Sequence, residues 1–193
     1  MANIFSEIEE YILFNEDIAF DEEKIKNYIS KIILDKFDSY EKEKGFLFEE
    51  IIYSFFEYQN IPLIKTPKTR DFGIDGIIKL KTDLIGSIDI GLQVKNRIID
   101  STDVDSFLSS LNNSELRLGL IICKESRRLD KYELNSKIKA ILLSKGIRVK
   151  ERLINESVSI NPIAIMKFGE IVSIIASEIR LIVKGVYKKW NLK

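Results

Sequence analysis

The stretch from Asp71 to Arg97 constrains the fold of this chain more than any other part of the sequence. Its pattern predicts two β-strands, at 76–81 and 87–97, joined by a loop. Side chains on a strand alternate between its two faces, so Gln93 and Lys95 point the same way. If the two strands pair antiparallel, Asp75 can lie beside them. The sequence therefore predicts a carboxylate, an amide and an ammonium around one point, a cluster that suits a divalent cation and a phosphodiester.

The composition excludes several classes of site. The 193 residues include no histidine and a single cysteine, Cys123. Without histidine the chain has no Ser-His or Cys-His nucleophile system and few ways to bind zinc. One cysteine can form neither an intrachain disulfide nor a thiolate zinc site, which fits a reducing, cytoplasmic location. Cys123 itself is expected in the core, because it ends an apolar run.

Charge and hydropathy limit the partners. The formal net charge is zero, which argues against non-specific coating of nucleic acid but leaves room for local basic patches. The apolar stretch at 4–14 is interrupted by three glutamates, so no signal peptide is expected. The apolar stretch at 171–186 contains Glu178, Arg180 and Lys184, so no membrane span is expected either.

Apolar spacing predicts the remaining elements. Helices are expected at 3–14, from Asp21 onwards and at 46–58, followed by a short helix capped by Ser101 or Thr102, a helix at 130–146 and a long helix at 162–190. Further strands are expected at 61–66, 116–123 and 147–153. On the third helix the apolar residues that start at Phe48 form one buried face, with Glu49 at its edge and Glu50 turned to water.

These elements predict an α/β fold, with a central mixed sheet of about five strands flanked by helices. We expect one compact domain overall. It would consist of an N-terminal helical extension at 1–44, a core at 45–155 and a C-terminal helix at 156–193.

Three short motifs lie on these elements in order. They are Gly45, Phe48 and Glu49 in GFLFEE, Asp71, Gly73 and Asp75 in DFGID, and Gln93 and Lys95 in QVK. With this order of elements, the chain resembles the PD-(D/E)XK nuclease superfamily and, within it, the Mrr-type restriction endonucleases. The resemblance covers residues 45–125 well and the following helix and strand loosely. It implies a restriction-endonuclease-like core and a Mg²⁺-dependent endonuclease that acts on DNA in restriction or phage defence.

The resemblance also implies roles for single residues. Asp75 would be the principal ligand of Mg²⁺, or of Mn²⁺ in its place. Glu49 would bind or orient the metal, directly or through water, and the backbone carbonyl of Val94 could also reach it. Gln93 stands where many relatives have an acidic residue. Lys95 would contact the scissile phosphate and position the attacking water or help to deprotonate it.

Other interpretations stay open at this stage. Asp75 could cap a turn, and Lys95 could extend from an edge strand with its charge in water. The chain could cut DNA alone as a homodimer, serve as the nuclease subunit of a larger complex, or be a catalytically silent module for DNA binding or assembly. Candidate phosphate contacts, each of which could equally be solvated surface, are Lys65, Lys68, Arg70, Arg97, Arg127 and Arg128.

Overall fold

The computed structural model describes residues 3–38, 44–67, 73–82, 86–126 and 163–190. The chain divides into two compact units, one made of residues 1–61 and 168–193 and the other of residues 62–167. The domain boundaries predicted at 44/45 and 155/156 stay a prediction. The described elements, in chain order, are α1 (Ile4–Leu13), α2 (Glu16–Ala19), α3 (Glu22–Asp38), α4 (Lys44–Tyr58), β1 (Leu63–Lys65), β2 (Gly76–Thr82), β3 (Gly86–Ile99), α5 (Ser101–Asn113), β4 (Leu118–Ser126), β5 (Ile163–Lys167) and α6 (Phe168–Trp190).

The first unit is helical, and its helices start where the sequence places capping residues. The side-chain oxygen of Asn3 accepts a hydrogen bond from the Phe5 amide at 3.0 Å and caps α1. Asp21 does the same for α3, since its carboxylate accepts from the amides of Glu23 and Lys24 at 3.0 and 3.2 Å. The cap predicted at Asp21 is confirmed. The short helix α2 was not predicted, because four residues give too little periodicity.

Helix α4 buries the face that the sequence predicted. Phe48, Ile51, Ile52 and Phe55 are all buried. The prediction for Glu50 was wrong, because this residue is half-buried like Glu49 instead of facing water. The error arises because the apolar surface of α4 is wider than one narrow stripe, which leaves few of its side chains fully in solvent.

Polar contacts join the helices of this unit. The hydroxyl of Tyr58 on α4 donates to Glu9 on α1 at 2.6 Å. Burial, and then this bond, raise the pKa of the Tyr58 phenol well above its ordinary value. Glu22 at the start of α3 accepts from Arg180 on α6 at 2.7 Å and from Ser177 at 3.2 Å.

The second unit contains a five-stranded mixed sheet in the order β1-β2-β3-β4-β5. The first three strands are antiparallel, and β3, β4 and β5 are parallel. The predicted α/β class with a mixed, restriction-endonuclease-like sheet is confirmed. Because β3 is the central strand, the alternative that Lys95 extends from an edge strand was wrong.

Strand β5 corrects the sequence prediction at 163–167. These residues were assigned to the start of the long helix, yet they pair in parallel with β4, from Gly119 opposite Ile163 to Cys123 opposite Lys167. The first four residues of β5 are all buried. A short apolar run that is buried on every side has no period of its own, so it cannot be told from the first turn of a buried helix. The helix predicted at 130–146 and the strand predicted at 147–153 lie outside the described residues.

Two strands begin later than predicted, because the preceding residues complete helix ends. The Ile61 amide donates to the Phe56 carbonyl at 2.8 Å, and the Leu116 amide donates to the Leu111 carbonyl at 3.1 Å. Their backbone amides are thus used by the ends of α4 and α5. The predicted strands at 61–66 and 116–123 are observed at 63–65 and 118–126.

Helix α5 packs on one face of the sheet. Val104, Phe107 and Leu111 form a buried cluster with residues of β3, β4 and β5, among them Ile121 and Cys123. Cys123 is buried in the core, as predicted. No helix in the part of the chain that the structure describes is long and apolar enough to cross a membrane.

Candidate active site

Asp75 lies immediately before β2 and is bound to the backbone of β3 twice. Its amide donates to the Leu92 carbonyl at 2.8 Å. Its carboxylate accepts from the Val94 amide at 2.6 Å. The regular β2–β3 pairing ends at Gly76 opposite Leu92, so the side chain of Asp75 takes the place of the next backbone acceptor. A carboxylate offers about four lone-pair sites, so one amide does not exhaust it as a ligand.

Gln93 lies between the two backbone groups that Asp75 binds. This residue is only 4% exposed. Its side-chain amide nitrogen donates to the Gly73 carbonyl at 2.6 Å, and this bond fixes which end of the amide is the oxygen. The oxygen, Oε1, is buried and meets no hydrogen-bond donor among the described residues. A buried, unpaired acceptor is costly, so this atom is suited to a cation or a bound water.

The turn before Asp75 depends on Gly73. Its φ of +79° lies in the left-handed region, which glycine reaches without the steric cost that a side chain brings. A Cβ atom at this position would also lie 3.3 Å from the Gln93 side-chain nitrogen. Glycine therefore lets the backbone carbonyl approach Gln93 closely enough to bind it.

Lys95 follows Gln93 by two residues on the central strand, so strand alternation places both side chains on the same face. This is the face covered by α5, since Lys95 is paired with Cys123 of the buried cluster. Lys95 is half-buried. The β3–β4 register shifts between Lys95 and Ile98, and such irregularities redirect the side chains beside them.

The structure identifies a contact residue that sequence analysis missed. The Thr66 amide donates to the Asp75 carbonyl at 3.2 Å, and its hydroxyl donates to the Ile74 carbonyl. No sequence signal marks this residue, because a side chain that binds a backbone carbonyl eight positions away follows no characteristic spacing.

The other predicted residues are placed as follows. Glu49 is half-buried on α4, in the helical unit, and its role stays a prediction. Lys65 is exposed at the end of β1. Asp71 lies outside the described residues. The same holds for four candidate phosphate contacts, Lys68, Arg70, Arg127 and Arg128.

Arg97 makes a bidentate pair with Asp103 of α5. One of its nitrogens lies 2.9 Å from Asp103 Oδ2, and the other binds Oδ1. Asp103 also completes a capping box with Asp100, which is the N-cap of α5 in place of the predicted Ser101 or Thr102. Arg97 thus anchors the start of α5, and any contact of this side chain with a phosphate would be an additional one.

The residues around Asp75 fit a weakly held divalent cation. Hard cations prefer carboxylate, amide and carbonyl oxygens and keep several waters. The Asp75 carboxylate, the Gln93 oxygen and the Val94 carbonyl are donors of this kind. Within the described ranges there is no group of three or more His, Cys, Asp or Glu residues that could hold a metal. Water and substrate oxygens would therefore complete the coordination.

The described residues also line one open cavity of about 560 Å³ at the C-terminal end of α5. Its walls are Leu108, Leu111, Asn112, Glu115, Leu116 and Arg117. No predicted site residue belongs to it.

Comparison with known proteins gives one match. The family model of the Mrr catalytic domain, described as a restriction endonuclease, matches residues 40–153, which is more than half of the chain. No curated protein and no solved structure matches this chain.

Proposed function

Since the chain belongs to the Mrr-type restriction endonuclease family, we propose that it hydrolyses phosphodiester bonds of DNA in a Mg²⁺-dependent reaction at the Asp75–Gln93–Lys95 site. One observation supports this proposal above the others. Asp75 is bound across the backbone that carries Gln93, and the buried Gln93 oxygen has no donor among the described residues. An acceptor that the fold leaves unpaired in the interior is expected where a ligand completes the site.

In this proposal the protein supplies only part of the metal site. Asp75, Gln93 and the Val94 carbonyl would hold the metal, and Mn²⁺ would replace Mg²⁺. When bound, the metal polarises a phosphoryl oxygen and lowers the pKa of a water molecule. Glu49 is the proposed additional acidic group, either as a ligand or through water.

Lys95 supplies positive charge to the reacting phosphate. Its ammonium extends from the same face as Gln93, so it can donate to a non-bridging oxygen and stabilise the charge that develops there. It would also orient the attacking water and help to remove its proton. Lys95 is half-buried on a central strand, so part of this residue is shielded from water.

The biological setting we propose is restriction or phage defence in the cytoplasm, with DNA as the substrate. Cutting both strands needs two sites, so we further propose that the chain acts as a homodimer or within a larger complex. Lys65, with its exposed side chain, would contact the DNA backbone and add affinity without adding sequence specificity.

The first test is cleavage of supercoiled plasmid by the purified protein, with Mg²⁺ or Mn²⁺ and then with EDTA. We expect nicked or linear product only with metal, and a loss of about 100-fold or more in Asp75→Ala and in Lys95→Ala. Lys31→Ala, which removes an exposed lysine from α3, is the matched control and should cut like the wild type.

Three other results would each change the proposal. Equal cleavage by wild type and variants would mean that the site is wrong or that the activity is a contaminant. Cleavage that appears only when a partner protein is added would favour a nuclease subunit of a larger complex. DNA binding without any cleavage would favour a catalytically silent module.

A further inference from the structure

The three residues that lead into β2 are held by hydrogen bonds outside the regular ladder. The β1–β2 pairing ends at Lys65 opposite Gly76. Thr66 is the first residue after β1. Its amide donates to the Asp75 carbonyl, and its hydroxyl donates to the Ile74 carbonyl. Thr66 therefore contacts two consecutive carbonyls of the segment that carries Asp75.

These two bonds restrain the direction of the Asp75 Cα–Cβ bond. The Ile74 carbonyl belongs to the peptide plane before the Asp75 Cα atom, and the Asp75 carbonyl belongs to the plane after it. Peptide units are rigid and planar, so the backbone of a residue has only the two dihedral angles between its planes. Holding both planes fixes those angles, and with them the Cα–Cβ bond from which the carboxylate extends.

The opposite side of the segment is held by β3. The Asp75 amide and carboxylate bind Leu92 and Val94, and the Gly73 carbonyl binds Gln93. The segment thus lies between two strands, and Thr66 provides the contacts to its carbonyls on the β1 side. One of the two Thr66 contacts comes from its side chain, and a substitution can remove it while the bond from the Thr66 backbone amide remains.

We propose that Thr66 is a positioning residue. Its hydroxyl orients the Asp75 carboxylate and thereby sets the affinity of the site for a divalent cation. The effect that this inference predicts on DNA cleavage rests on the proposed function. The placement of Asp75 itself is independent of catalysis. Thr66 touches neither metal nor phosphate in this proposal and acts only through the backbone of Ile74 and Asp75.

The test compares Thr66→Val, which keeps the shape but removes the hydroxyl, with Thr66→Ser, which keeps the hydroxyl. Thr102→Val makes the same chemical change at an exposed position of α5 and is the control. Three quantities are measured for each full-length variant: Mn²⁺ affinity from the paramagnetic resonance of free Mn²⁺, hydrogen exchange of the Val94 amide, and plasmid cleavage. The thermal midpoint shows whether each variant is folded.

We expect Thr66→Val to weaken Mn²⁺ binding about fivefold, the factor that one ordinary hydrogen bond contributes. The Val94 amide should exchange faster by a similar factor, because its acceptor is the repositioned carboxylate. Cleavage at low metal concentration should fall in parallel and recover at high concentration. Thr66→Ser and Thr102→Val should match the wild type in all three measurements.

Unchanged Mn²⁺ affinity and unchanged Val94 exchange in a folded Thr66→Val variant would overturn the inference, whatever happens to cleavage. A loss in Thr66→Val that Thr66→Ser does not restore would also overturn it, because the hydroxyl would not be the cause. If metal binding and exchange respond as expected but the wild type cuts no DNA, the positioning role stands and the proposed nuclease function fails.

Discussion

Asp75 has a structural role and a proposed catalytic role, and substitution by alanine would remove both at once. Its carboxylate completes the hydrogen bonding of the buried Val94 backbone amide, and it is also the proposed metal ligand. Asparagine retains an oxygen that can accept from the amide, but it has no charge and binds a hard cation less well. The pair Asp75→Asn and Asp75→Ala therefore separates folding from chemistry.

We predict that Asp75→Ala lowers the free energy of unfolding by about 1–3 kcal/mol, because the Val94 amide loses its acceptor inside the protein. Asp75→Asn should stay within about 0.5 kcal/mol of the wild type, the usual range for a substitution that leaves no buried group unpaired. Urea unfolding followed by circular dichroism measures both. Equal destabilisation by the two substitutions would show that charge, not the hydrogen bond, holds this segment.

Single residues were predictable where a local signal existed. The glycine and aspartate of DFGID and the alternation of Gln93 and Lys95 could be recognised, because turn chemistry and strand period are properties of neighbouring residues. Thr66 and Asp103 could not be assigned their contacts in this way. Thr66 binds a carbonyl eight residues away, and Asp103 binds an arginine six residues before it on another element.

At the scale of elements, α5 and the sheet approach each other at a pair of glycines. Gly91 and Gly119 are directly opposite each other on β3 and β4. A Cβ atom on Gly119 would lie 2.6 Å from Leu111 and 2.6 Å from Phe107, and one on Gly91 would lie 2.6 Å from Leu111. This close approach sets how near α5 lies to β3, the strand that carries Gln93 and Lys95.

We predict that Gly119→Ala destabilises the chain by about 1–3 kcal/mol, because the added methyl group forces Leu111 and Phe107 out of a packed core. Gly185→Ala is the control, since nothing lies within 4 Å of a Cβ atom at this position of α6. It should be stabilising by roughly 0.5–1 kcal/mol, the difference in helix propensity. Chemical unfolding measures both variants, and a neutral Gly119→Ala would mean that α5 can move away at little cost.

The contact between α3 and α6 predicts a pH dependence. The hydrogen bond from Arg180, followed by that from Lys26, holds the pKa of Glu22 below its ordinary value of 4.5. A carboxylate whose pKa is lowered by folding stabilises the fold above its unfolded pKa. That contribution is lost as the pH falls through the folded pKa. It should therefore be present in full at neutral pH, begin to decline below about pH 4.5, and be lost once the pH is below the folded pKa.

The measurement is the thermal midpoint of wild type and Glu22→Gln as a function of pH. Glu22→Gln should unfold at a lower temperature than the wild type near pH 7, and the two curves should converge in acid. Glu10→Gln, which alters an exposed glutamate of α1, is the control and should leave the midpoint unchanged. A constant gap between wild type and Glu22→Gln down to pH 3 would show that the Arg180 contact does not depend on the charge of Glu22.

Elements were predictable to the extent that their burial was one-sided. Strand β3 was found close to its predicted bounds although its residues 90–94 are all buried. Helices α1, α3 and α4 and strand β2 were found close to their predicted bounds because a half-buried element shows its period in the sequence. Strand β5 was missed for the opposite reason. Its residues are buried without a polar face, and only the pairing with β4 defines them as a strand.

At the scale of the whole molecule, the family match covers a much longer part of the chain than the hydrogen bonds described around Asp75. The family match covers residues 40–153, which span the helix with Glu49, the Asp75 segment and the strand with Gln93 and Lys95. The hydrogen bonds described above for Asp75 and Gln93 join residues between 66 and 94. Point substitutions within this segment therefore test the proposed site directly.

The most direct test of the central claim is metal-dependent cleavage of plasmid by Asp75→Asn beside the wild type, at equal thermal midpoints. We predict that the wild type cuts with Mg²⁺ and not with EDTA, and that the folded Asp75→Asn variant loses about 100-fold or more of the activity. Cleavage by Asp75→Asn at the wild-type rate would contradict the claim, because the Asp75 carboxylate would then serve only the backbone of β3.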